Sequence, residues 1–180
     1  MFTGGYLDTD VQIVRKLEDS IKGEFVSAIE NHRVGSKYWD RANNCIAQGY
    51  EDRFTSFCLQ AGFMYSEKSH PFVIQCMKDI YDNGNREFLK SNGEHNGFVI
   101  DATLWNILHK DYGLKFLDKT QRLKNGILIY DSSVYATRKT KTKDSYLIHW
   151  FDQTWRADAS IKMRVKTFIK QKFYWLYRLQ

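Results

Sequence analysis

Gly4-Gly5-Tyr6-Leu7-Asp8-Thr9-Asp10 is the stretch on which the reading of this chain turns. Tyr6-Leu7 has strand character and is expected to be buried. Gly4-Gly5 permits an unusual backbone path into it, and the two acids follow where the ligand-binding edge of a sheet lies. Side chains at i and i+2 of an extended segment project to one side, so Asp8 and Asp10 are expected to face one small site. Two converging carboxylates repel unless a cation sits between them. Hard oxygen ligands favour Mg²⁺ or Mn²⁺, ions that complete their shell with water and substrate phosphates. The spacing alone is common in a chain of this length, and the strand before it gives it meaning.

Outward from this segment, strands alternate with helices. Gly23 to Ile29, Phe57 to Tyr65, Ile127 to Tyr130 and Ser145 to Trp150 read as strands. Ser69-His70-Pro71 opens a helix, because proline suits the first helical turn, and Phe72, Cys76, Met77, Ile80 and Tyr81 fall on one face. Asn83-Gly84 stops it, and Asn83 to Gly97 reads as a loop. A second helix starts at Asp101 as N-cap, carries Leu104, Trp105, Leu108 and Tyr112, and ends at Gly113. The pattern predicts an α/β domain, or an α+β one.

Composition narrows the class. At 180 residues, 43% hydrophobic and 16% aromatic, the chain can bury one sizeable core, and a single proline excludes proline-rich disorder. Cys45, Cys58 and Cys76 make no CxxC pair and are odd in number, which argues against a disulfide framework or cysteine zinc site and fits a reducing cytoplasm. No window holds about 18 consecutive apolar residues, and no secretory signal opens the chain, so a cytoplasmic protein is expected. The net charge is +6, but residues 161–180 hold six of the 27 basic side chains and no acid, leaving 21 against 21 elsewhere. A formally neutral body does not suit a phosphate-tracking groove, and no nucleic-acid partner is expected.

The segment GGYLDTDV resembles the DxD motif of the sugar-transferase family that includes capsular polysaccharide synthesis proteins and yeast mannosyltransferases. Further segments match in order. Gly62-Phe63-Met64 leads to Glu67-Lys68-Ser69-His70-Pro71-Phe72, Leu108 to Leu114 ends in Tyr-Gly-Leu, and Ile148-His149-Trp150-Phe151-Asp152-Gln153-Thr154-Trp155 resembles a closing IHHWxxSW pattern. The resemblance implies a GT-A type fold and a metal-dependent, retaining hexosyltransferase. It implies Mn²⁺ (or Mg²⁺) as cofactor and a nucleotide sugar, a UDP-sugar or GDP-mannose, as donor. The acceptor would be a saccharide, lipid-linked, in capsule or cell-surface glycan synthesis. By the same resemblance Asp8 contacts the nucleotide ribose and the cation region, and Asp10 ligates the cation. His149, with Thr154 and Trp155, closes over the diphosphate. An imidazole can join carboxylates on Mn²⁺, and a hydroxyl or indole N–H can donate to phosphate oxygens, so the chemistry of the residues agrees.

Asp8 and Asp10 are thus the expected catalytic pair, with His149 as third metal ligand and Asp8, His149, Thr154 and Trp155 as donor contacts. Gln60 and Glu67 are further candidates for contacts to donor or acceptor hydroxyls, and His70 is assigned to helix entry. No residue is nominated as nucleophile. In the family one or two βαβ units precede the DxD, whereas Met1-Phe2-Thr3 precede it here. The expectation is a transferase domain over residues 1–157 lacking its first nucleotide-binding units. The alternatives are a non-catalytic truncated remnant, or a basic membrane- or nucleic-acid-binding module.

Residues 158–180 are expected to form a basic amphipathic helix. From Asp158 as N-cap, Ile161, Val165, Phe168, Ile169, Trp175, Leu176 and Leu179 share a face opposite Lys166, Lys170 and Arg178. Lys172 interrupts the stripe. A helix packed on the domain and one lying on an anionic membrane surface both satisfy this pattern. A lipid-linked acceptor favours the second, at the inner face of the cytoplasmic membrane.

Overall fold

Phe25–Glu30, strand β3, is buried at each of its six positions, and the rest of the fold is arranged around it. Alternation sends Phe25 and Ile29 to one side and Val26 and Ala28 to the other. Phe25 and Ile29 join a cluster with Phe72, Trp105 and Leu108 from the helices. Val26 and Ala28 join Phe63, Leu128, Tyr135 and Leu147, the last two from a second, smaller sheet. A strand covered on both faces must be apolar throughout, which is why Phe25-Val26-Ser27-Ala28-Ile29 has no polar alternation beyond one small serine.

The computed structural model describes residues 4–31, 37–49, 58–79, 100–150 and 165. The main sheet runs β1 (Gly4–Leu7), β7 (Phe63–Ser66), β3, β9 (Ile127–Tyr130), β8 (Gln121–Arg122), with β6 (Cys58–Leu59) also on β3. β3 and β9 are parallel, and the other pairs in this sheet are antiparallel. The small sheet runs β10 (Tyr135–Thr137), β11 (Leu147–His149), β2 (Val11–Ile13), and β4 (Trp39–Asp40) pairs with β5 (Cys45–Ile46). Among the described residues the architecture is α+β-like and mostly strands, with mixed sheets and few helices. Of the two expectations, α/β and α+β, it is the second that this arrangement meets.

Contacts divide the chain into two compact units, residues 1–149 and 150–180. In the second unit the described residues are Trp150 and Val165, the latter helical and half-exposed. Thr154, Trp155 and the remainder of the basic segment lie outside the described residues. No helix among the described residues is long and apolar enough to cross a membrane.

Helix α1 (Pro71–Lys78) begins with His70, whose Nδ1 accepts from the Phe72 amide. Its Nε2 meets the Asn125 carbonyl at 2.9 Å, so His70 is the helix-entry residue expected. Phe72 and Cys76 are buried, but Met77 is 54% exposed and does not belong to the core face. Ile80, Tyr81 and the expected loop 83–97 lie outside the described residues.

Helix α2 (Ile100–Ile107) already contains Asp101, which is therefore an internal helical residue and no N-cap. It continues as a π turn through Leu108–Tyr112 and stops at Gly113, where φ of +83° requires the left-handed region. Leu104, Trp105, Leu108 and Tyr112 are buried as the periodicity predicts.

The carboxyl end of β3 is held by a buried carboxylate. Asn31 Nδ2 donates to Asp118 at 2.8 Å, and Asp118 also accepts from the Ser132 amide and hydroxyl at 2.7 and 2.6 Å. These bonds offset the cost of burying the charge and tie the end of β3 to the turn after β9.

Candidate metal centre

Register builds the site. β1 runs antiparallel to β7, which runs antiparallel to β3, so β1, β3 and β9 all end at one edge of the sheet. Asp8 follows β1 at that edge, and Glu30 ends β3 there. Antiparallel pairing of β2 and β11 sets Val11 opposite His149, which brings the preceding Asp10 alongside the imidazole. Residues from opposite ends of the described chain therefore meet at the carboxyl edge of parallel strands, the usual place for ligands in open sheets.

A bulge completes the wall. Val26 pairs with Tyr65 and Ile29 with Leu59, so three steps along β3 face six along its partner. The three surplus residues, Gln60, Ala61 and Gly62, loop out at the site edge. Gln60 is fully buried and locks the bulge, its Oε1 accepting from the Phe63 backbone amide at 2.8 Å and its own backbone N–H donating to the Ala28 carbonyl at 2.8 Å. The Gly62 carbonyl accepts from the Asp8 amide at 2.9 Å. A Cβ on Gly62 would lie 3.0 Å from His149 Nδ1 and 3.1 Å from Val11 Cγ2, so glycine is what lets the ring sit there.

His149 Nε2 lies 3.2 Å from Asp10 Oδ1 and 3.9 Å from Asp8 Oδ2. One donor atom from each of the three residues falls within 4.8 Å of the others. An oxygen and nitrogen set of this kind could hold a divalent metal ion. A carboxylate on the far side of the ring, Glu30 Oε2, lies 3.7 Å from Nδ1. Three carboxylates thus lie within 4 Å of one imidazole.

Burial is the largest influence on His149 and opposes its charged form. The Glu30 interaction and the charges of Asp10, Glu30 and Asp8 outweigh it, so the pKa is raised above the usual imidazole value. Tyr6 donates its hydroxyl to Asp8 Oδ1 in a short contact. That bond first, then burial and the charges of Asp8 and Asp10, push its pKa up to about 12.

Two features of the expected pair are corrected. Asp8 and Asp10 do not converge by strand alternation, because residues 9 and 10 form a turn in which the Val11 amide donates to the Asp8 carbonyl at 3.3 Å. Nor is the strand before them buried: all four residues of β1 are exposed, Tyr6 at 54% and Leu7 at 43%. Glu67 is exposed just past the far end of β7, away from the site edge, and is no candidate contact. The pattern reading missed Glu30 and Gly62. An acid at the end of an apolar strand and a glycine inside a strand-like run were the available signals. No family model, curated protein or solved structure matches the chain.

Proposed function

We propose that this chain carries the cation-binding, acceptor-side region of a metal-dependent glycosyltransferase with a GT-A type fold. In this reading it moves a hexosyl group, with retention, from a UDP-sugar or GDP-mannose to a saccharide acceptor, lipid-linked, in capsule or cell-surface glycan synthesis. The reading is supported chiefly by the meeting of Asp8, Asp10 and His149 at the carboxyl edge of the main sheet. A cluster assembled from both ends of the described chain is what a split DxD and closing-histidine site needs, and a solvated turn does not need it.

Asp8, Asp10 and His149 would hold the ion, and an imidazole in the set favours Mn²⁺ over Mg²⁺. Bound there, a divalent cation supplies Lewis-acid neutralisation of charge on a departing nucleoside diphosphate. Asp10, the less exposed acid, anchors the site beside His149. Asp8, more exposed and gripped by Tyr6, faces the side from which a nucleotide enters. Thr154 and Trp155 remain the proposed donors to the diphosphate. Residues 158–180 are proposed to hold the enzyme at an anionic inner leaflet.

Calorimetric titration of the full chain with Mn²⁺, and then with UDP or GDP in its presence, tests this reading. Metal-dependent nucleotide binding is expected and should disappear in Asp10→Ala; nucleotide binding indifferent to both Mn²⁺ and Asp10 defeats it. A second reading, cation binding without turnover, is favoured by the exposure of β1, since a catalytic carboxylate works best where water is excluded. It predicts Mn²⁺ binding with no Mn²⁺-dependent hydrolysis of any nucleotide sugar.

A further inference from the structure

Two strands face one another across the second core. From β3 come Val26 and Ala28, from β11 Leu147, and all three are buried together. The next residue on the same side of each strand is Glu30 and His149 respectively. Where alternation would place one more apolar pair, the chain places an acid against an imidazole. Glu30 is only 5% exposed, and a carboxylate that deep is costly unless it has a partner.

An imidazole has its two nitrogens on different edges, and the acids are sorted between them. Asp8 and Asp10 lie beside Nε2, at 3.9 and 3.2 Å, while Glu30 lies beside Nδ1 at 3.7 Å. Glu30 is therefore set apart from the ligand cluster, which among the described residues comprises Asp8, Asp10 and His149. Gly62 closes the ring's remaining side, since a Cβ there would approach Nδ1 to 3.0 Å and Cε1 to 3.2 Å.

We propose that Glu30 is a positioning residue for the cation site: its carboxylate holds the Nδ1 edge of His149 so that the Nε2 lone pair faces Asp8 and Asp10. The proposal rests on the cation-site reading above. A carboxylate behind a histidine selects the tautomer with hydrogen on the rear nitrogen, orients the ring, and makes the front nitrogen a better donor. The 3.7 Å separation is an ion-pair distance, and a small ring rotation closes it to a hydrogen bond once a ligand draws on Nε2.

The test uses the full chain and Mn²⁺ alone. Affinity is read from the free-Mn²⁺ signal in electron paramagnetic resonance, and imidazole ligation from ¹⁴N coupling in pulsed spectra. Wild type is expected to bind with ¹⁴N coupling, and Asp10→Asn is expected to abolish binding. Glu30→Gln, nearly isosteric, should keep the wild-type unfolding midpoint to within a few degrees, weaken Mn²⁺ binding about 10- to 100-fold, and alter or erase the ¹⁴N coupling. Glu30→Asp, which retains the charge but withdraws it by one methylene, should also weaken binding and serves if the glutamine variant does not fold. Unchanged affinity and coupling in a folded Glu30 variant, with binding still dependent on Asp10, overturns the positioning role and leaves the cation site standing. No Mn²⁺ binding by wild type, or binding indifferent to Asp10→Asn, overturns both.

Discussion

Strands β1 and β3 run in the same direction in one sheet and both lead to carboxylates at one edge, yet they are opposites in burial. β3 is covered on both faces along its whole length, while β1 is exposed at every residue. The acid after β1, Asp8, is partly exposed and held by a neighbouring phenol; the acid ending β3, Glu30, is buried behind a histidine. The difference teaches a division of labour. An exposed strand can present a charge to an incoming ligand at little cost, whereas a buried strand can keep a charge only by giving it a fixed partner.

The contrast breaks most visibly in stability. Ile29→Ala in β3 should cost about 2 to 5 kcal/mol in urea unfolding, because a fully buried side chain leaves a cavity. Leu7→Ala in β1 should stay within about 0.5 kcal/mol. Equal losses would mean that β1 is covered in solution. Next in size, Gly62→Val should destabilise by about 1 to 3 kcal/mol and weaken Mn²⁺ binding, since its branches enter the space of His149 and Val11. A variant with wild-type Mn²⁺ affinity would show that the bulge does not seat the ring.

A smaller effect concerns pH. In the metal-free protein the raised pKa of His149 means that its ion pairs contribute stability that is fully present below the unfolded value near 6.5. That contribution is lost as pH rises through the higher folded pKa. Denaturation midpoints measured from pH 6 upward should therefore fall in wild type relative to His149→Gln, and parallel curves would contradict the shift. Smallest of all, Tyr6 should ionise near pH 12, and Mn²⁺ should lower that value by neutralising Asp8 and Asp10. The difference in ultraviolet titration between wild type and Tyr6→Phe measures it.

Much of the scaffold was legible from local patterns. Ile127 to Tyr130 is the strand the apolar run predicts, and Leu104, Trp105, Leu108 and Tyr112 lie on the buried helical face, ended by Gly113. The run from Phe57 to Tyr65 was read as one strand but is two, because a register shift at Gln60-Ala61-Gly62 depends on pairing with β3. Met77 and Asp101 were misplaced for a similar reason. Helical periodicity ranks faces, but only the neighbouring elements decide how wide the buried face is and where the helix begins.

By itself the sequence determined the identity of the candidate ligands, since Asp8, Asp10 and His149 carry oxygen and nitrogen chemistry whatever the fold. It also determined that Phe25 to Ile29 forms a strand, because its aromatic and branched residues suit the extended chain. Only the tertiary structure decided that these three side chains meet, that a turn rather than strand alternation brings the acids together, and that Glu30 stands behind the ring. Those facts follow from the register of β2 on β11, the bulge beside β3 and the packing of two sheets, all contacts between residues far apart in the chain. Local periodicity carries no information about such contacts.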